Sequence, residues 1–193
     1  MRRLSLIFSF FVFAASAGLA QSNWIMDAAH SSATFKISHM VISHVVGSFK
    51  EFSITLNSAK DDFSDASVDA VIKVGSISTD NTMRDNHLKS DDFFNAEKYP
   101  EIHFKSTSFT KTGDNKYSIT GDLTIRDVTK KATFDAVLNG VLQTPQGLLA
   151  SWTATTTVDR FEYNLKWNKT IETGGLIVGK DATVTLNLEF HKK

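Results

Sequence analysis

Apolar and polar residues alternate along most of the chain with a period of two. Phe35 and Ile37 alternate with Lys36 and Ser38, and Phe52, Ile54 and Leu56 alternate with Ser53 and Thr55. Val68, Ala70, Ile72 and Val74 share a parity opposite Asp69, Val71 and Lys73, and Ile102 and Phe104 alternate with His103 and Lys105. The pattern recurs in Tyr117, Ile119, Leu123 and Ile125, and again in Ala132, Phe134, Ala136 and Leu138. Leu148, Ala150, Trp152 and Ala154 repeat it, and Val184, Leu186, Leu188 and Phe190 close the chain with it. Successive side chains of a strand point to opposite faces, so each run predicts a strand with one apolar and one polar side. Turn signals separate the runs at Thr112-Gly113-Asp114-Asn115, Asn139-Gly140, Thr144-Pro145-Gln146-Gly147 and Gly174-Gly175. About eight or nine closely spaced strands predict a single all-β domain, an antiparallel barrel or sandwich.

One stretch, 81–99, breaks the period. Met83, His87 and Leu88 sit at helical spacings, and Asn81 or Thr82 suits the N-cap of a short helix. Ser90-Asp91-Asp92 suits the start of a second turn carrying Phe93 and Phe94, and Tyr99-Pro100 ends the insertion before the next strand. Such an insertion is either a lid over the barrel or a plain crossover.

The first 20 residues read as a leader rather than as fold. Arg2 and Arg3 precede an apolar run from Leu4 to Phe13, followed by small residues that include Gly18 and Ala20. That order matches a secretory signal peptide cut before Gln21, and the run is short of the ~20 residues a membrane span requires. The expectation is a signal peptide at 1–20 and one barrel domain at 21–193, located in the periplasm. The chain has no Cys, which excludes disulfides, thiol catalysis and thiolate metal sites. Lys plus Arg and Asp plus Glu number 21 each, so no strong field favours nucleic acid.

Several segments together resemble one family. Trp24-Ile25-Met26-Asp27 followed by His30-Ser31 and Phe35 resembles the opening of YceI-like proteins, as do His39-Met40 and Gly47-Ser48-Phe49. The longest match runs from Ser78-Thr79-Asp80-Asn81 through Arg84-Asp85, His87-Leu88-Lys89-Ser90 and Phe93-Phe94 to Tyr99-Pro100-Glu101-Ile102 and Phe104. Gly121-Asp122-Leu123-Thr124-Ile125-Arg126 follows, then Arg160 and Leu165-Lys166-Trp167-Asn168. The resemblance implies a lipocalin-like antiparallel barrel of eight strands, with an elongated cavity for a polyisoprenoid or related amphiphile, and no established enzymatic activity. Asp127 and Asn164 stand where the family often has Gly. Both residue types tolerate left-handed backbone, so the same turns are expected.

A closed barrel of about eight strands is either filled by side chains or wide enough for one small ligand. Phe, with 15 copies of which 11 follow the leader, supplies smooth apolar wall without a polar atom to satisfy. The Ala residues on the same faces leave room, yet the mixture also suits a packed core. Burying a CH₂ is worth roughly 0.8 kcal/mol, hence about 3–4 kcal/mol per isoprene unit. A bilayer offers nearly the same solvation, so ligand choice falls to fit and head-group contacts. The candidate contacts are Phe35, Ile37, Phe49, Phe52, Ile54, Leu88, Phe93, Phe94, Phe104, Leu123, Phe134, Trp152 and Trp167, with His39, Arg84, His87 and Arg160 at the rim. His30, Ser32, Asp85 and Lys89 are further rim candidates. Arg84 and Lys89 suit an anionic head, or Arg84 pairs with Asp85 or Asp92 and anchors the crossover.

Catalytic and metal chemistry find little support in the sequence. His39 and His44 are an odd number of residues apart and so face opposite sides of a continuous strand. No H-E-x-x-H or G-x-S-x-G occurs. The expectation is therefore a non-catalytic carrier without cofactor or metal, holding an isoprenoid-type lipid, with transient membrane contact and a homodimer left open. A barrel enzyme using His39 or His87, or an interaction module with a merely structural barrel, are the alternatives.

Overall fold

A computed structural model describes residues 22–172 and 174–193. The proposed leader at 1–20 lies outside the described residues. The strands are β1 (Ser22–Met26), β2 (Ser32–His39), β3 (Ser43–Phe49), β4 (Phe52–Ser58), β5 (Ser67–Lys73), β6 (Ile77–Ser78), β7 (Glu101–Gly113), β8 (Lys116–Ile125), β9 (Val128–Thr144), β10 (Gly147–Asp159) and β11 (Val178–Lys192). One α-helix, α1 (Thr82–Lys89), occurs among the described residues.

Eight strands close an antiparallel ring in the order β1-β4-β5-β7-β8-β9-β10-β11, and β11 returns to β1. The register carries the alternation around that ring. Trp24 pairs with Leu56, Ile54 with Ala70, Ala70 with Phe104 and Phe104 with Leu123. Ile119 pairs with Phe134, Ala136 with Ala154, and Trp152 with Leu188. Every apolar row therefore lands on the inner face, and a shift of one residue would turn a whole row outward. The free edge of β11 is shared: Trp24–Met26 pair with its end, and Ser32–His39 pair with its earlier part. Between them the chain kinks at Asp27, whose Oδ1 accepts from the backbone N–H of Ala29 (2.9 Å) and His30 (3.3 Å). β3 folds back on β2 and meets β6 only at Ser48 and Phe49.

Two local expectations need correction, at Asn139-Gly140 and in the β8–β9 turn, while the insertion has the short helix and the second turn expected of it. Asn139-Gly140 is not a turn. β9 runs straight through it, and the register shift opposite Ser151 and Trp152 makes it a β-bulge. Asn139 Nδ2 donates to Ser151 Oγ and Thr153 Oγ1, which holds the extra residue on the sheet. The helical part of the insertion stops at Lys89, capped at its start by Asn81, whose side chain accepts from Arg84 N at 3.0 Å. Residues 91–98 form successive turns because Ser90 O already accepts from both Phe93 N and Asn95 N. Finally, Asn164 is left-handed as expected (φ 62°), but in the β8–β9 turn the left-handed residue is Arg126 (φ 55°), not Asp127. Asp127 instead accepts from Asn164 Nδ2 at 3.1 Å.

One end of the barrel is stoppered by an aromatic cluster. Phe63, in the β4–β5 loop, is 0 % exposed and enters the end of the barrel. Its ring stands edge-on to Trp152 at 5.1 Å and tilted against Trp24 at 5.2 Å. Phe63 has φ 55°, a conformation that costs a bulky residue energy. Asp65 holds the loop in that shape, accepting from Ser58 Oγ (2.7 Å), Ala59 N (2.9 Å) and Lys60 N (3.2 Å). Tyr117 completes the stopper, donating its hydroxyl to Asp62 O at 2.9 Å.

Candidate functional site

Inside the ring, between the stopper and the α1 end, lies an apolar cavity of about 120 Å³. A buried water needs about 10–15 Å³ on this measure, so the space is real, though below the ~300–1,000 Å³ of a typical ligand pocket. Phe35, Phe49, Ile54, Phe104, Leu123, Phe134 and Trp152 of the candidate contacts line it. Sequence reasoning did not single out as contacts Leu56, Ile72, Phe109, Ile125, Leu186 or Phe190, which also line it. Their signal was present, since most of them lie in the alternating rows on the same inward parity. Thr34 and Thr156 are the polar members of the wall, and both direct their hydroxyls to backbone carbonyls, of Thr185 (3.1 Å) and Thr133 (2.8 Å). No Asp, Glu, His, Lys or Arg lines the cavity.

Two glycines give the wall its shape. A Cβ on Gly47 would overlap the ring of Phe35, and one on Gly121 would come within 2.6 Å of the Phe104 ring. The tips of the two rings occupy the space that a side chain at these positions would fill.

The remaining candidates sit at the α1 end or away from the wall. Ile37 and His39 continue the inward parity of β2 beyond Phe35. Phe52 packs against the core from the start of β4. Phe94 lies edge-on to Phe49 at 6.0 Å, and Phe49 meets Phe35 at 5.8 Å, so an aromatic chain runs from the insertion to the cavity. Phe93, His87 and Trp167 stack mutually, with centroids 5.1 to 5.6 Å apart. His87 Nε2 also meets Asp92 Oδ2 at 2.7 Å. Leu88 is half-buried, and its carbonyl accepts from Phe94 N.

The rim arginines are held by the fold. Arg84 donates through Nε to Thr79 Oγ1 (2.7 Å) and through a terminal nitrogen to Thr79 O (2.8 Å). Its anchor is Thr79 rather than Asp85 or Asp92. Arg160 is 5 % exposed and donates to three carbonyls, of Gly179 (2.8 Å), Leu165 (2.5 Å) and Val178 (3.0 Å). Arg126, absent from the candidates, donates to the carbonyls of Asp91 (3.1 Å), Phe93 (2.8 Å) and Asn164 (3.0 Å), and to Asp91 Oδ1 (2.8 Å). Together they bind the insertion to the segment that leads into β11. A buried guanidinium satisfied by fixed carbonyls leaves few donors for a guest.

On the outer wall, Asp27, His30 and Glu189 bring potential ligand atoms within 4.8 Å of one another. The hydrogen bond from His30 holds the Asp27 carboxyl down at about 2, and the same bond raises the His30 imidazole above its ordinary value. Neighbouring Leu188 and Phe190 face inward, so this group faces away from the cavity.

Comparison with known proteins fits this architecture. The YceI-like domain model matches residues 24–190. The chain belongs to the YceI-like family. A UPF0312 protein of Staphylococcus aureus is 39 % identical over 171 residues, spanning 88 % of this chain and 97 % of the relative. The YceI protein of Campylobacter jejuni superposes with a TM-score of 0.70 at 32 % identity, covering 82 % of this chain and 91 % of that one. BcnA of Burkholderia cenocepacia, at 23 % identity, shares the fold with a TM-score of 0.73 over 85 % of this chain and 98 % of its own. A domain from Saccharophagus degradans described as polyisoprenoid binding superposes with a TM-score of 0.60 at 14 % identity, over 91 % of this chain and all of its own.

Proposed function

We propose that this YceI-like barrel binds, carries or sequesters a long apolar amphiphile of the polyisoprenoid or isoprenoid-quinone class, in the periplasm, without catalysing a reaction on it. The observation that supports this reading is the cavity wall: Phe, Ile, Leu, Val, Ala and Trp152, with Thr34 and Thr156 turned to backbone carbonyls and no titratable side chain among them. Such a wall rewards apolar area and offers no acid, base or nucleophile to a substrate. The solved domain described as polyisoprenoid binding shares the barrel, which supports the ligand class. The guest enters at the α1 end, because Phe63 blocks the other, and loading occurs in transient contact with a bilayer. The head group stays near the rim, where polar side chains begin.

Native mass spectrometry of protein purified gently from its host, with solvent extraction and identification of the extract, tests the reading. The expected result is one prenyl lipid per barrel. A barrel that comes out empty and takes up no prenyl lipid on addition ends it. Cell fractionation tests the compartment, with the mature protein expected in the periplasmic fraction beginning near Gln21.

A further inference from the structure

The β2–β3 hairpin ends in three apolar residues, Met40, Val41 and Ile42, at the α1 end of the barrel. Ile42 is 90 % exposed and Val41 64 %, and Val46 on the adjoining strand is 61 % exposed. Water-facing apolar residues in such a run are unfavourable unless something covers them. The turn is also strained. Met40 (φ 50°) and Val41 (φ 70°) are consecutive left-handed residues, positions where hairpins favour Asn and Gly and where a β-branched residue is an outlier. The sequence thus sets apolar side chains where both solvation and backbone geometry argue for polar or small ones.

The tip is nonetheless held firmly. Met40 N donates to Ile177 O at 2.8 Å, and Val41 Cγ2 lies 2.6 Å from where a Cβ on Gly175 would stand. Only glycine lets the hairpin seat that closely. The hairpin itself carries no acid, and exposed Glu172, in the loop that seats Val41, is the acid next to it. Between Ala28 and Lys50 there is no Asp or Glu, and Lys36, His39, His44 and Lys50 fall in that stretch. Ser38 pairs with His44 and Lys36 with Val46, which places Lys36 and His44 on the outer face behind the tip, whereas His39 has the opposite parity and Lys50 follows the far end of β3.

We propose that Met40–Ile42 is a membrane-docking tip that inserts into the interface of an anionic bilayer, with Lys36 and His44 against the lipid head groups. Apolar insertion plus basic flanks is the combination that interfacial binding requires. This role rests on the reading of the barrel as a lipid binder, because it brings the α1 end to the membrane that supplies or receives the guest. Among the described residues the outer edge of β3 at Ser43–Gly47 has no strand partner, and a second copy of the chain is the competing occupant.

The test compares the native mature protein with the double variant Val41→Asn, Ile42→Ser. Each is sedimented with vesicles of phosphatidylglycerol and phosphatidylcholine in equal parts, and with phosphatidylcholine alone. The expected result is native binding to the anionic vesicles, lowered about tenfold or more in the variant. The variant should melt no lower than the native protein, because Asn suits the left-handed position. Native protein that ignores anionic vesicles, or a variant that binds them equally, overturns the proposal. So does a native dimer, seen by light scattering, that the variant dissolves while neither form binds vesicles. Loading with prenyl alcohol from detergent, read by native mass spectrometry, separates the two ideas. A protein that holds the lipid yet ignores vesicles defeats the docking tip alone. One that binds vesicles yet never holds the lipid defeats the carrier reading alone.

Discussion

At the scale of single residues, the cavity depends on a few side chains and on two that are missing. Phe63 is fully buried among Trp24, Trp152 and Tyr117, so Phe63→Ala should lower unfolding stability by about 3–5 kcal/mol, read as a lower urea midpoint with an unchanged slope. A shift under 1 kcal/mol would show that the stopper collapses to fill its own gap. Gly47→Ala acts oppositely, by adding volume. The new methyl displaces the Phe35 ring toward the lumen, so prenyl-lipid uptake should fall while the fold survives at a cost of about 1–3 kcal/mol. Unchanged stoichiometry by native mass spectrometry would place the ring's escape route elsewhere. Neither residue was conspicuous in the sequence. Phe63 sits in an Asp-rich turn, off every alternating row, and only its being a lone large apolar residue there hints at burial. Gly47 belongs to a recognisable motif, but what it makes room for appears only once β2 lies beside β3.

At the scale of elements, the strands were the most legible part, because burying one face of a sheet forces the period of two. The turns were less so. Thr144-Pro145-Gln146-Gly147 reverses the chain with Gly147 at φ 121°, whereas Asn139-Gly140, the stronger hairpin signal on its own, is absorbed as a bulge because the ladder with β10 continues before and after it and holds it extended. The ties between the insertion and the β10–β11 connection were not legible, since a guanidinium bonding three carbonyls leaves no sequence pattern. Arg126→Ala strands the carbonyls of Phe93 and Asn164, each costing about 1–3 kcal/mol where water cannot reach. Amide exchange in 90–99 should speed up and a loaded lipid should leave faster, while the strands of the closed end keep their protection. Uniformly faster exchange throughout would mean that Arg126 supports the whole barrel. The Asp27 kink carries a pH signature of known sign. The Asp27 carboxyl is lowered from 3.8 to about 2, so its contribution is full above 3.8 and lost as pH falls toward 2. The His30 imidazole is raised from 6.5, so its contribution is full below 6.5 and lost as pH climbs through the raised value. Asp27→Asn should flatten the melting temperature against pH at both edges. A variant profile parallel to the native one would assign the dependence to other groups.

At the scale of the whole molecule, the question is how a barrel with about 120 Å³ of open space accommodates a long chain. The stoppered end cannot pass the guest, and the wall is continuous, so capacity grows only by moving rings at the α1 end. The aromatic chain Phe35–Phe49–Phe94 links the cavity to the insertion there, and those contacts are edge-on or tilted rather than interlocked. Binding should therefore strengthen with chain length only until the lumen is filled. Each isoprene unit that enters the barrel removes five carbons from water, worth about 3–4 kcal/mol at most by the methylene scale. Units beyond the rim stay in solvent or lipid and add almost nothing. A series of prenyl alcohols of increasing length, titrated by competition against one fluorescent prenyl probe, should give affinities that rise steeply and then level off. The length at the break measures the loaded cavity, and Gly47→Ala should move it to a shorter chain. Affinity independent of length would mean that the head group alone is recognised and that the lumen stays empty. Affinity rising without a break would mean that the stopper opens and the chain runs through the barrel, in which case Phe63→Ala should strengthen binding of the longest members instead of leaving it unchanged.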